Sequence, residues 1–150
     1  MTSLSGLMGR NHTDCDDAFA AAEAAAMAGD WSACRTAMSR FERMLLAHFL
    51  AEEELLFPAF EAATGMASGP TVVMRQEHQQ MRDLCADMSA AAQACDPSTL
   101  AGAADTLLVL MQQHNMKEEN ILYPMCDQAV GSERGLASAL ADRLEGANHV

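Results

Sequence analysis

Six residues have the types and the spacing to hold metal ions. His48 and Glu52 lie in HFLAEEELLFP, residues 48–58, and His114 and Glu118 lie in HNMKEENILYP, residues 114–124. On a helix, residues four apart stand one above the other on one face, with Cβ atoms about 5–6 Å apart. Each His–Glu pair can therefore aim at one point. The second stretch follows the first by 66 residues, and the same offset relates His78 to His12, Met74 to Met8, Asp96 to Asp30 and Pro124 to Pro58. Within each half the two histidines are 36 residues apart, and of the five histidines only His149 falls outside the rule. The pattern predicts two copies of one helical hairpin, packed about a pseudo-twofold axis.

Both His–Glu pairs fall on apolar stripes. Phe41, Met44, Leu45, His48, Glu52, Leu55 and Leu56 share one helical face, and Leu107, Leu110, Met111, His114, Glu118, Ile121 and Leu122 share another. An unpartnered carboxylate on such a face costs several kcal/mol to bury, on the order of the usual penalty for an isolated charge. Two facing carboxylates also repel. Cations between them resolve both problems, and His12 and His78 bring one further ligand from each remaining helix. Four histidines and two glutamates exceed what one structural zinc takes. Calcium and magnesium prefer all-oxygen shells. Two first-row transition ions fit better, since imidazole and carboxylate suit iron, and also manganese or zinc. The symmetry predicts two histidines per ion, with Glu52 and Glu118 bridging and a solvent-derived oxo or hydroxo bridge completing the pair. One open position per octahedral ion would remain for a small ligand.

The elements that must position these residues are helices. Ala, Leu, Met and Glu dominate, and all are strong helix formers. Turn and cap signals at Ala28-Gly29-Asp30, residues 64–70 and Cys95-Asp96-Pro97-Ser98 divide the chain into segments 3–28, 31–63, 70–94 and 97–128, with a short amphipathic tail at 133–145. No strand-like alternation persists. The expectation is an all-α fold, an antiparallel up-and-down four-helix bundle with a short C-terminal helix, formed by residues 1–150 as one domain. Pro58 and Pro124 each predict a kink or a fresh start.

A net charge of −12 argues against a phosphate-tracking nucleic-acid binder and against docking on an anionic membrane. No apolar run is long enough for a membrane span, and no secretory signal pattern opens the sequence, so a cytoplasmic setting is expected. Five cysteines without a CxxC pair read as reduced thiols. Glu-x-x-His and HExxH motifs are absent, which disfavours a ferritin-like site and a zincin protease. Glu53 and Glu119 are read as residues that orient ligands or face solvent, and Glu54 as exposed. Leu56, Phe57, Leu122 and Tyr123 are read as packing, with the Tyr123 hydroxyl a candidate to reach the site. Cys15 and Met81, three residues after His12 and His78, are candidate pocket linings, with Cys15 a redox thiol if it stands near the metals.

His12, HFLAEEELLFP, His78 and HNMKEENILYP resemble, over nearly the whole chain, the haemerythrin-like (HHE cation-binding) domains. That resemblance implies a four-helix bundle around a non-haem di-iron centre, with His12, His48, Glu52, His78, His114 and Glu118 as ligands. The sequence departs from the oxygen-carrying haemerythrins at two places. Met74 stands where the carriers have a further histidine. Glu118 and Glu119 stand four and five residues after the last ligand histidine, where the carriers use an aspartate at five. The more symmetric pattern is closer to the di-iron domain of the repair-of-iron-centres proteins, although their N-terminal cysteine-bearing segment is not in this sequence.

The expected function is binding of O2, NO or peroxide at a di-iron centre, in oxidative or nitrosative stress or redox chemistry. Enzymatic reduction of NO or peroxide, or peroxide disproportionation, would need turnover and an electron donor where reduction is net. An O2 carrier or sensor module and an iron store or donor are the alternatives. No nucleic-acid or membrane partner is expected.

Overall fold

The computed structural model describes residues 3–148, so His149 lies outside the described residues. Helix α1 (Leu4–Met27) pairs with α2 (Trp31–Ala51), which continues through a π-helical turn (Glu52–Leu56) into α3 (Phe57–Thr64). The second half repeats the first: α4 (Pro70–Gln93), α5 (Pro97–Lys117), a π-helical turn (Glu118–Leu122) and α6 (Tyr123–Val130). Four antiparallel rods result, and no strand occurs among the described residues. Helix α7 (Leu136–Asn148) lies against α2 and seals one end with Leu140 and Leu144. Among the described residues no helix is long and apolar enough to cross a membrane.

Local chemistry sets the helix ends. Ser3, Asp30 and Asp96 each accept a hydrogen bond from the backbone N–H three residues on, which satisfies one of the orphan donors of a helix start. Pro70 and Pro97 stand at first helical positions, where a missing N–H costs nothing. The hairpin α1–α2 turns through Gly29 at φ 71, a left-handed conformation that suits glycine. Its repeat mate, 66 residues on, is Cys95, held at φ 53. A side chain in that region costs about 1–2 kcal/mol, against which glycine brings extra unfolded-state entropy of about 0.5–1 kcal/mol. Cys95→Gly is therefore expected to stabilise the protein by up to about 1 kcal/mol, read as a higher urea midpoint at unchanged slope.

Each π turn answers the proline that follows it. Pro58 and Pro124 cannot donate a backbone hydrogen bond, and a regular α-turn would press their rings on the carbonyl four residues back. The N–H of Phe57 bonds instead to the Glu52 carbonyl, and that of Tyr123 to the Glu118 carbonyl, five residues back. Each rod thus accommodates its proline by a bulge of one residue and continues. The bulge shifts the register. Past Glu118 the buried positions are Leu122, Tyr123 and Cys126, while Ile121, placed on the core stripe by regular helical spacing, is 57% exposed.

The core is split in two. Phe19, Met38, Phe41, Met44, Met88, Leu100, Leu107 and their neighbours fill one end. Leu4, Met8, Leu56, Phe57, Phe60, Tyr123, Val130 and α7 fill the other. Between them lies a buried polar layer: Asn11, His12, His48, Glu52, His78, His114 and Glu118.

Candidate metal centre

All six residues singled out by spacing meet in that layer. None is more than 5% exposed, and both glutamates are fully buried. Two groups of ligand atoms form, each with all atoms within 4.8 Å of one another: Glu52, His78, His114 and Glu118 in one, and His12, His48 and Glu118 in the other. The pairs His12–His48 and His78–His114 have ring centroids 4.6 and 4.9 Å apart. Glu118 Oε1 lies 3.0 Å from His12 Nε2 and 3.3 Å from His114 Nε2, one histidine of each pair. Glu52 Oε1 lies 3.1 Å from His78 Nε2 and 3.5 Å from His48 Nε2, again one of each.

The outward nitrogens explain why the inward ones are available. His12 Nδ1 donates to Glu119 Oε2 at 2.7 Å, and His78 Nδ1 to Glu53 Oε2 at 2.6 Å. His48 Nδ1 donates to Asn11 Oδ1 at 2.7 Å, and His114 Nδ1 to Glu77 Oε1 at 2.8 Å. Acceptors on every Nδ1 hold a proton there and turn Nε2 to the interior as the nitrogen that can bind a cation, the arrangement typical of metal-ligating histidines. These partners follow the 66-residue rule too: Glu53 pairs with Glu119, and Asn11 with Glu77. Asn11 and Glu77 were not among the residues singled out from sequence. The offset applied to the residue before each single histidine would have found them.

Cations brace two of the outer carboxylates. Arg82 holds Glu53 through two hydrogen bonds of 2.9 and 2.8 Å, and Lys117 pairs with Glu77. Glu53 is driven down to about 2: burial opposes this, but His78 and Arg82 outweigh it. His78 also stacks with the rings of Phe49 and Phe57, with centroids at 4.1 and 5.8 Å. Losing such an orienting carboxylate typically costs about 10–100-fold in metal affinity. Glu53→Gln is expected to weaken cation binding by about that factor without unfolding the bundle, as isothermal titration at constant pH would measure.

The polar layer is unbalanced without a cation. Glu52 Oε1, Glu118 Oε2, His78 Nε2 and His114 Nε2 are buried and make no hydrogen bond. His78 Nε2 stands close to Glu52 Oε1, but the two are not aligned as donor and acceptor. Converging donor atoms of this kind are what ligands of one ion present, and leaving such groups unpaired costs about 1–3 kcal/mol each. Burial and the facing Glu118 push Glu52 up, while Glu118, despite its own burial, is held well below the carboxylate range by Glu52, His114 and His12. Burial would lower the histidines. It wins at His48, which falls to about 3, whereas the carboxylates prevail at His12, His78 and His114, the last raised to about 9. Protons thus stand where positive charge is needed. The imidazole and carboxylate donors fit a transition-metal cation in both groups.

Other expectations resolve plainly. Glu54 is exposed and pairs with Arg143 on α7 at 2.7 Å. Leu56, Phe57 and Leu122 are packing residues. Tyr123 packs as well, but its hydroxyl lies inside the polar layer, 2.8 Å from Glu52 Oε2 and 2.9 Å from Glu118 Oε1. Cys15 is buried, with its Sγ 3.8 Å from Asn11 Oδ1, and burial pushes it up to about 12. A thiol so rarely ionised is a poor redox nucleophile. All five cysteines are unpaired, and Cys95 alone is exposed.

Searches of curated proteins and of solved structures return no match. A family model, the hemerythrin HHE cation binding domain, matches residues 4–126. That span takes in all six converging residues and both π turns, and the chain belongs to the hemerythrin HHE cation-binding family.

Proposed function

We propose that the protein is a non-haem di-iron protein that binds a small ligand (O2, NO or peroxide) and carries out redox chemistry with it. His12 and His48 would hold one ion and His78 and His114 the other, with Glu118 and Glu52 between them. The observation that carries this reading is the pair of ligand groups sharing Glu118, with His78 Nε2, His114 Nε2 and one oxygen each of Glu52 and Glu118 buried without hydrogen bonds. The bound irons would supply electron transfer and ligand coordination. The protein supplies the rest. The Nδ1 partners fix each imidazole, and the two hydrophobic clusters keep bulk water away on both sides. A layer no more than 5% exposed at any of the six residues favours a ligand of diatomic size over an organic substrate. Iron is favoured over zinc by the redox-competent reading and over softer metals by the lack of a thiol in either group.

Metal analysis with optical spectra tests the proposal. Protein produced with ample iron is expected to carry about two irons per chain and to change its spectrum on anaerobic reduction and again on adding O2 or NO. Less than about one metal per chain would overturn the dinuclear reading, and a spectrum indifferent to reduction, O2 and NO would overturn the ligand-binding one. Consumption of peroxide or NO over many cycles would mark an enzyme, and intact release of O2 a carrier.

A further inference from the structure

One break in the pseudo-twofold symmetry places an oxygen atom inside the polar layer. Positions 57 and 123 are repeat mates, each the first residue after a π turn and each fully buried. Their rings do the same job: Phe57 stacks on His78 with centroids at 5.8 Å, and Tyr123 stacks on His12 at 5.6 Å. Only Tyr123 adds a hydroxyl. The two ligand groups differ in the same place, since His78 and His114 converge with both glutamates whereas His12 and His48 converge with Glu118 alone.

We propose that Tyr123 Oη is a direct oxygen ligand of the cation held by His12 and His48, an assignment that rests on the di-iron reading above. The hydroxyl stands 3.1 Å from His12 Nε2 and 3.2 Å from His48 Nε2, besides its two carboxylate neighbours. A phenol donates one hydrogen bond and accepts at most two, yet four polar atoms surround this one. Tyr123 Oη, His12 Nε2 and Glu118 Oε1 form a triangle with sides of 3.1, 2.9 and 3.0 Å. Adjacent ligands of a six-coordinate ion with bonds of about 2.0–2.1 Å stand about 3.0 Å apart. With Tyr123 counted, each group offers four protein donors. On loading, the phenolic O–H bond breaks, an oxygen–cation bond forms, the proton leaves to solvent, and no electron moves. The two ions are then inequivalent, one of them bearing an anionic phenolate that favours the ferric state.

The chain has a single tyrosine, so any phenolate signal has one source. Iron-loaded ferric protein would be examined by visible absorption and by resonance Raman excited within the visible band, beside Tyr123→Phe with its iron counted. The expected result is a phenolate-to-Fe(III) band with enhanced phenolate ring modes in the wild type, and its complete loss in the variant. An iron-loaded wild type without those modes would overturn the assignment while leaving the di-iron reading intact, whatever the variant does. A band that persists in Tyr123→Phe would overturn it too. Failure of the wild type to take up iron would overturn the ligand assignment and the metal centre together.

Discussion

Glu118→Ala is expected to empty both cation positions at once. Glu118 is the only residue common to the two ligand groups, and its Oε1 alone faces His12 at 3.0 Å, His114 at 3.3 Å and Tyr123 at 2.9 Å. Without it the His12–His48 group loses its one acidic member, and the His78–His114 group is reduced to three. Loss of an orienting residue already costs about 10–100-fold in affinity, and loss of a direct bridging ligand exceeds that at both positions. Glu118→Gln separates chelation from packing. It keeps the volume and removes the charge, so it should fold and still fail to hold a full pair of ions. Glu119→Ala is the contrasting control. Glu119 is 46% exposed along its side chain and touches only the outer nitrogen of His12, so its loss should weaken one position and spare the other. Elemental analysis of the three purified variants, with helicity followed by circular dichroism, reads the result. Wild-type metal content in Glu118→Gln would sink the bridging role.

The six converging residues were legible in the sequence because a buried charge on an apolar helix face needs a reason, and a repeat supplies one. The helix boundaries were legible because Asp30, Asp96, Pro70 and Pro97 act through neighbours a few residues away. The misreading of Ile121 has a different origin. Regular spacing assumes 3.6 residues per turn, and the proline at 124 is absorbed by a wider turn upstream of itself. That shift turns Ile121 outward and brings the Tyr123 hydroxyl among the converging His and Glu side chains. Asn11 and Glu77 were overlooked because each acts across the bundle, 37 residues from its histidine, where no local pattern points. Their shared offset of 66 residues shows that the repeat encodes the hydrogen-bond partners of the converging histidines as well as the histidines themselves.

The metal-free protein is expected to be most stable near pH 6.5, and cation loading is expected to remove the alkaline side of that profile. Burial disfavours the charged form of His114, but Glu118, Glu52 and Glu77 outweigh it and hold the group at about 9. A histidine raised above its ordinary 6.5 binds its proton more tightly folded than unfolded. Its stabilisation is complete below pH 6.5 and is lost as the pH climbs through about 9. His12 and His78 are raised as well and act in the same direction. His48 acts oppositely. Burial lowers it to about 3, so the unfolded chain takes up that proton first as the pH falls below 6.5, and stability declines. Glu53 steepens the acid side, because its contribution is present above its ordinary 4.5 and disappears as the pH falls toward about 2. A bound cation takes the inward nitrogens and does what the protons did, so loading at pH 7 must release protons, and affinity must fall in acid. At a free concentration about a thousand times Kd, one site adds about 4 kcal/mol, or roughly 8–16 °C in Tm for a chain of this size. Melting curves from pH 5 to 9, with and without iron, together with proton release in weak buffer, decide the matter. A metal-free stability that rises between pH 6.5 and 9, or loading at pH 7 without proton release, would show that protons and cations do not compete for the same nitrogens.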